Sequence, residues 1–221
     1  MQEYGLIFDM DNTILDTHID FAEMHSVTAT AITDICRRDL LIPVVDFEQM
    51  ATAQMINWAK ANGFSQEQIA LLWNNVAEVE ARGMRMVEIE KNAPLILKIL
   101  HDTGFFMSVL TNNSLKAARL AMENSDLAKF FHEIHARDEY NELKPSPKGI
   151  LSIMGDHPQV KKWVMLGDSW LDGQAAKLAG ISFIAYGKQS ASYWQKYDIA
   201  PDIFLPAWQN DILDSVKSVL K

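Results

Sequence analysis

Short, continuously apolar runs alternate with amphipathic segments along most of the chain. Runs of this kind, ended by polar residues or glycine, are typical of strands that are buried on both faces of a parallel sheet. The predicted strands are residues 4–8, 105–110, 130–134, 163–166, 181–185 and 203–205. Because the later strands are separated by segments with helical spacing, the pattern predicts an α/β fold in which helices flank a parallel sheet.

Helix-start and helix-stop signals accompany the later strands. Pro94 lies in the first turn of a predicted helix that ends at Asp102, and Ser146 is predicted to cap a helix that begins at Pro147. Further helices are predicted over residues 114–124, from the fourth strand to Gly180, and over residues 209–220.

Residues 16–91 interrupt this alternation, because their apolar side chains recur at helical spacing and no convincing strand occurs. This stretch is predicted to hold three helices, over residues 21–35 up to a break at Pro43, over residues 47–61, and from a cap at Ser65 onwards. The predicted organisation is therefore an α/β domain made of residues 1–15 and 92–221, with an inserted all-helical domain of residues 16–91.

Composition narrows the functional class. The chain has 221 residues, of which 48% are hydrophobic, so it can bury a substantial core. A formal net charge of −9 argues against nucleic acid or an anionic membrane as partner, because those partners attract clustered Lys and Arg. The single cysteine, Cys36, is typical of a reducing compartment. We expect neither a signal peptide nor a membrane span, so the predicted location is cytoplasmic.

Polar side chains follow three of the predicted strands at the point where each strand ends. Asp9 and Asp11 follow the first strand, Thr111 the second, and Asp168 the fourth. Asp172 lies four residues beyond Asp168 and faces the same way on the first helical turn. Because the carboxyl ends of parallel strands meet at one edge of a sheet, these side chains are predicted to form a single site.

The predicted cluster of carboxylates needs a counter-charge. Asp9 and Asp11 repel each other in a desolvated site unless a cation or a proton compensates them. Lys144 is the only cation that arrives in a rigid, proline-bracketed turn. An all-oxygen ligand set favours a hard ion, and Mg²⁺ is the usual choice where a phosphate completes its coordination.

Four segments resemble, in the same order, the four motifs of the haloacid dehalogenase-like hydrolases in their phosphatase branch. The segments are residues 9–13, 110–112, 144–145 and 167–172. The resemblance implies a Rossmann-like parallel sheet. The helical insert resembles the cap of the phosphoglycolate phosphatase and β-phosphoglucomutase type, which implies that it excludes water and chooses the substrate's leaving group.

The resemblance also implies the chemistry of the first motif. Asp9 is expected to attack phosphorus and form an aspartyl-phosphate, while Asp11 protonates the leaving oxygen and then deprotonates the incoming water. A carboxylate at position 11 favours a phosphatase or a phosphomutase over the dehalogenases and cation pumps of the family.

The other motif residues are implied to bind phosphate or metal. The expected phosphate ligands are Thr111, the amide of Asn112, and Lys144. The expected Mg²⁺ ligands are Asp9, the backbone carbonyl of Asp11, and Asp168. Asp172 is expected to orient Lys144 or a metal-bound water from outside the metal's own ligands.

Two positions depart from the family pattern. Asn12 stands where glycine is common, and asparagine tolerates the left-handed conformation that glycine adopts. Gly173 stands where a larger apolar residue is common, and we expect it to weaken the start of its helix by about 1 kcal/mol relative to alanine.

The resemblance implies that the partner is a small phosphorylated metabolite, and the sequence does not identify which one. Phosphoglycolate is a candidate by analogy, and Arg82, Arg85, His18 or His25 of the insert could meet a second anionic group on a substrate. The alternative for both arginines is a solvated position near a helix end. The rival functions are a β-phosphoglucomutase-like phosphomutase and a non-catalytic regulator on the same fold. The oligomeric state stays open.

Overall fold

The computed structural model describes residues 3–40, 45–140, 142–209 and 211–220. The chain forms two compact units and passes from one to the other twice. One unit combines Met1–Thr17 with Val87–Lys221, and the other is His18–Met86. The helix break predicted at Pro43 lies outside the described residues.

A six-stranded sheet organises the larger unit, and a short two-stranded ribbon accompanies it. The strands are β1 (Tyr4–Phe8), β2 (Leu15–Asp16), β3 (Glu88–Ile89), β4 (Phe106–Leu110), β5 (Glu133–His135), β6 (Lys162–Gly167), β7 (Ser182–Tyr186) and β8 (Ile203–Leu205). The sheet has the order β5-β4-β1-β6-β7-β8, and each of its pairings is parallel. The predicted α/β fold with a parallel, Rossmann-like sheet is confirmed.

The register of the central strands aligns their carboxyl ends. Phe8, the last residue of β1, lies opposite Val109 of β4 and Leu166 of β6. Leu6, Ile7 and Phe8 are fully buried, as expected for a strand covered on both faces. Residues that follow these three strands are therefore brought to the same edge.

Helices follow most of these strands. They are α4 (Ala93–Asp102), α5 (Leu115–Asn124), α6 (Lys148–Asp156), α7 (Trp170–Ala179), α8 (Ala191–Lys196) and α9 (Ile212–Val219), after α1 (Phe21–Ile35), α2 (Thr52–Ala61) and α3 (Gln66–Gly83) of the smaller unit. Ser114 caps α5 by accepting from the Ala117 amide. None of the described helices combines the length and apolar character that a bilayer crossing requires.

The smaller unit packs α1, α2 and α3 around its own apolar core. Ile32, Met55, Ile56 and Leu72 are fully buried there. Ser65 caps α3 as predicted, because its hydroxyl accepts from the Gln68 amide while the Gln68 side chain accepts from the Ser65 amide.

The ribbon of β2 and β3 is the main departure from the predicted organisation. Leu15 pairs with Ile89 and Asp16 with Glu88, although residues 16–91 were expected to contain no strand. Both strands have two residues, which is too short to produce an alternating pattern. The division of the chain consequently falls at Thr17 and Val87, inside the predicted boundaries.

Several element boundaries also differ from prediction. Helix α2 begins at Thr52, not at residue 47, because Phe47–Met50 forms a turn in which the Met50 amide donates to the Phe47 carbonyl. Strand β5 begins at Glu133 because Ala128–Phe130 is a 3₁₀ turn. Pro147 precedes α6 as its cap residue, and α9 begins at Ile212 rather than at residue 209.

Candidate active site

The predicted motif residues converge where β1, β4 and β6 end. The Asp9 amide donates to the Leu166 carbonyl at 2.8 Å, which ties the residue after β1 to β6. The Thr111 amide donates to the His135 carbonyl at 3.0 Å, which anchors the residue after β4 to β5. The sheet itself therefore fixes the backbone beneath the site.

The loop after β1 holds Asp9 and Asp11 apart. The Met10 carbonyl accepts from the amides of Ile14 and Leu15 at 3.1 and 3.0 Å. Asn12 has a φ of 54°, the left-handed conformation predicted for it. From the far end of the chain, the Trp208 indole Nε1 donates to the Thr13 carbonyl at 2.7 Å.

Lys144 lies between two carboxylates and is only 4% exposed. Its Nζ donates to Asp9 Oδ1 at 2.6 Å and to Asp172 Oδ1 at 2.7 Å. Asp172 is fully buried, and its Oδ2 accepts from the Ser169 amide at 3.1 Å and the Ser169 hydroxyl at 2.6 Å. Asp172 therefore holds Lys144 in place while being held itself by the start of α7.

Asn112 secures the loop that carries Lys144. Its Nδ2 donates to the Lys144 carbonyl at 2.9 Å, and its Oδ1 accepts from the Lys144 amide at 3.0 Å. The Lys144–Pro145 peptide bond is cis. The family resemblance implied phosphate binding by the Asn112 amide, and the structure adds two hydrogen bonds from the Asn112 side chain to the Lys144 backbone.

Donor groups contact both oxygens of the Asp11 carboxylate. Oδ1 accepts from the Thr17 hydroxyl at 2.8 Å, and Oδ2 accepts from Asn113 Nδ2 at 2.6 Å. The Thr111 hydroxyl is 3.4 Å from Oδ2. Asp11 is buried, and its hydrogen-bond partners differ from those of Asp9.

Burial and mutual repulsion raise the pKa values of the acidic side chains. Desolvation, followed by the charge of Asp172, raises the pKa of Asp9 to about 8. Desolvation also raises the pKa of Asp11, and the pKa of Asp168 rises through desolvation and the nearby Asp9. Burial alone would lower the pKa of Lys144, but the charges of Asp172 and Asp9 outweigh burial and raise it.

The acidic cluster fits a hard divalent cation. Carboxylate oxygens of Asp9, Asp168 and Asp172 lie within 4.8 Å of one another. Together with Asp11 they place four acidic side chains near one ammonium, and a divalent cation bound there would favour the ionised forms of these carboxyl groups. Oxygen ligands without His or Cys suit Mg²⁺.

The structural cluster overlaps the predicted metal ligands in Asp9 and Asp168. Asp172 lies beside them, but both of its carboxylate oxygens already accept hydrogen bonds, Oδ1 from Lys144 and Oδ2 from Ser169. Coordination by Asp9, the Asp11 carbonyl and Asp168 therefore stays a prediction.

The candidate substrate residues of the insert have mixed surroundings. Arg82 and Arg85 are exposed, and Arg82 Nη2 lies 2.5 Å from Glu23 Oε1 within the same unit. His18 is also exposed. The His25 Nε2 donates to the Phe47 carbonyl at 3.0 Å, so this side chain has a local structural partner.

The surroundings of Gly173 differ from what helix propensity alone predicts for this position. A Cβ atom at this position would lie 2.6 Å from Ile199 Cγ2 and 3.0 Å from Phe183 Cε1. Close packing of α7 against these side chains therefore requires the glycine, and alanine is not the appropriate reference. The predicted destabilisation relative to alanine is wrong.

Three further residues of the site were not predicted from the sequence. Thr17 and Asn113 contact Asp11, and Ser169 contacts Asp172. Ser169 had a detectable signal, because Ser-x-x-Asp at a helix start is a capping pattern. Thr17 and Asn113 had none, since which side chain meets Asp11 depends on how the loops fold.

Comparison with known proteins agrees with the family resemblance. Residues 6–186 match the family of haloacid dehalogenase-like hydrolases. A phosphoglycolate phosphatase from Vibrio vulnificus (strain YJ016) is 27% identical over 189 residues, covering 81% of this chain and 82% of the relative.

Solved structures share the fold. A predicted phosphoglycolate phosphatase from Haemophilus somnus 129pt has a TM-score of 0.65 at 17% identity and covers 97% of this chain and 99% of its own. A candidate β-phosphoglucomutase from Thermotoga maritima has a TM-score of 0.62 at 21% identity and covers 100% of both chains. The family match spans most of the chain and includes all four motif segments, so the chain belongs to the haloacid dehalogenase-like hydrolases.

Proposed function

We propose that the protein is a Mg²⁺-dependent phosphatase that hydrolyses a small phosphomonoester through an aspartyl-phosphate. The observation that carries the proposal is the joining of Asp9, Lys144 and Asp172 by direct hydrogen bonds in one buried site, with Asp11 and Asp168 beside them. Phosphoryl transfer depends mainly on positioning and on neutralising charge, and this arrangement supplies both.

Asp9 and Asp11 divide the reaction between them. A carboxylate oxygen of Asp9 forms a bond to phosphorus while the bond from phosphorus to the ester oxygen breaks, and Asp11 gives its proton to the departing oxygen. In the second step Asp11 takes a proton from water, whose oxygen displaces Asp9 from phosphorus. Inorganic phosphate leaves, and both carboxylates return to their starting state.

The neighbouring residues stabilise the phosphoryl oxygens. Lys144 contributes a fixed positive charge, and Thr111 contributes a hydroxyl beside Asp11. Asp9, Asp168 and the backbone carbonyl of Asp11 would hold Mg²⁺, which phosphatases of this family generally use. When bound, this ion supplies positive charge to the phosphoryl group.

The relatives suggest where to look for the substrate. Because phosphoglycolate phosphatases are among them, we propose a phosphoglycolate-type ester as the first compound to assay. The helical unit, His18–Met86, is proposed to act as the cap that selects the leaving group, with Arg82, Arg85 and His18 as its candidate ligands. The single Cys36 is consistent with action in the cytoplasm.

The decisive experiment is Asp9→Asn, assayed for phosphate release from a panel of phosphate esters with and without Mg²⁺. Loss of turnover of about 10³-fold or more is expected, because an amide does not attack phosphorus. The matched control is Asp156→Asn, which changes an exposed aspartate of the same unit and should leave turnover unchanged. Wild-type turnover in Asp9→Asn would show that the nucleophile is wrongly assigned.

The same panel separates the rival functions. Conversion of a sugar phosphate to an isomer without free phosphate would identify a phosphomutase. Tight binding of an ester without any turnover at saturating Mg²⁺ would identify a non-catalytic regulator.

A further inference from the structure

Asn113 lies directly after the phosphate-binding motif and is almost completely buried, at 4% exposure. Its backbone is held on both sides, because its amide donates to the Thr111 hydroxyl at 3.1 Å and its carbonyl accepts from the Arg137 amide at 2.9 Å. These two bonds fix the backbone from which the side chain projects. The side-chain Nδ2 then donates to Asp11 Oδ2 at 2.6 Å.

With this contact, each oxygen of the Asp11 carboxylate accepts a short hydrogen bond. The Thr17 hydroxyl holds Oδ1 at 2.8 Å, so Thr17 and Asn113 together define the plane of the carboxylate. Among the residues that the structure describes, the Thr111 hydroxyl is the other contact on Oδ2, and at 3.4 Å it is too long to define that plane alone. Without Asn113, the carboxylate would be held firmly through one oxygen only.

We propose that Asn113 is a positioning residue that fixes the plane of the Asp11 carboxylate and thereby aims its proton at the leaving oxygen. The inference rests on the proposed phosphatase function. It assigns Asn113 a task in leaving-group departure and not in phosphate binding, because the side-chain bond goes to Asp11 and the backbone bond to Thr111 is independent of the side chain.

Two aryl esters that differ in the basicity of the leaving group test the inference. Phenyl phosphate releases a basic phenolate that needs a proton, whereas p-nitrophenyl phosphate releases a stable anion that does not. We expect Asn113→Leu, an apolar side chain of similar size, to lower kcat/KM about 30-fold for phenyl phosphate but less than about 3-fold for p-nitrophenyl phosphate. Asn113→Ala should give the same pattern and replaces the leucine variant if that one fails to fold.

A double-mutant cycle shows whether Asn113 acts through Asp11. In an Asp11→Asn background, Asn113→Leu should change kcat/KM for either ester by less than about 2-fold, because the group that it positions is no longer an acid. Thermal unfolding of each variant identifies any general loss of structure.

The outcomes separate the inference from the function beneath it. An equal loss on both esters, or an undiminished loss in the Asp11→Asn background, would overturn the positioning role while leaving the phosphatase intact. Absence of phosphate release from these two esters and from every other ester of the panel by the wild-type protein would overturn the proposed function and the inference together.

Discussion

Charged side chains occur in two contrasting settings in this molecule. In the sheet unit, Lys144 is buried and bonded to Asp9 and Asp172, and Asn112 fixes its backbone. In the helical unit, Arg82 and Arg85 are exposed, and Arg82 pairs with Glu23 at the surface. Lys144 was expected to bind phosphate, whereas the two arginines were candidates for a second anionic group, with a solvated position as the alternative.

The contrast separates chemistry from specificity. A buried ion pair has one arrangement, because any other leaves a charge without a partner in a poorly solvated site. An exposed arginine has many arrangements of similar free energy, so its sequence position says little about its ligand. The buried cluster therefore gives specific candidates for the reacting groups, whereas the exposed arginines do not identify the groups that select a substrate.

Removing the buried cation should give the largest effect. We expect Lys144→Met to lower kcat by about 10³-fold and to destabilise the metal-free protein by about 3 kcal/mol, since Asp9 and Asp172 lose their shared partner. Phosphate release and chemical denaturation measure the two effects. Lys148→Met, which removes an exposed lysine paired with Glu142, should match the wild type in both assays. A similar loss of kcat and stability in both variants would contradict the distinction between buried and exposed charges.

Loosening the lysine loop should have the next largest effect. Asn112→Leu removes both side-chain bonds to the Lys144 backbone, so we expect a loss of about 50-fold in kcat, with Lys144 still present but poorly held. Steady-state kinetics give the value. A loss confined to KM would mean that Asn112 contributes to binding and not to placement of the lysine.

The buried carboxylates should make metal-free stability depend on pH in an unusual direction. Because the folded-state pKa of Asp9 is raised from 3.8 to about 8, this group stabilises the fold fully below about pH 4 and loses that contribution as pH rises toward 8. In EDTA, its contribution to the unfolding free energy should fall by up to about 1.4 kcal/mol per pH unit between these limits.

Mg²⁺ should oppose this trend, because metal binding requires ionised carboxylates. The increase in Tm that Mg²⁺ produces should therefore be larger at pH 8 than at pH 6, as measured by thermal unfolding. In Asp9→Asn the slope in EDTA should flatten. An unchanged slope in that variant would assign the effect to other groups.

The smallest effects are expected in the helical unit. Arg85→Gln should raise KM for a carboxylate-bearing ester such as phosphoglycolate about 5-fold, and Arg82→Gln less than about 2-fold, because Arg82 already has Glu23 as a partner. Arg38→Gln, at an exposed arginine paired with Asp39, is the control. Equal KM values for all three variants would show that Arg82 and Arg85 do not contribute to substrate binding.

Motif order predicted the family, and strand ends predicted the location of Asp9 and Asp168, because each follows a strand whose apolar pattern is strong. Lys144 was identified by its proline-bracketed turn. The Asn112–Lys144 link was not predictable, since it joins loops 32 residues apart and either amide orientation is compatible with the sequence. The need for Gly173 came from Ile199, which approaches α7 only in the folded protein.

The hydrogen bond from Trp208 to Thr13 also has a consequence for when the site forms during translation. Residue 208 lies 195 positions after Thr13, and it follows the last residue of the family match. A nascent chain translated through residue 186 already contains all four motif segments, yet it lacks the indole that binds the loop of Asp9 and Asp11. Since chains begin to fold during synthesis, we expect hydrolytic competence to appear late in translation, after the ribosome has released the segment that contains this tryptophan.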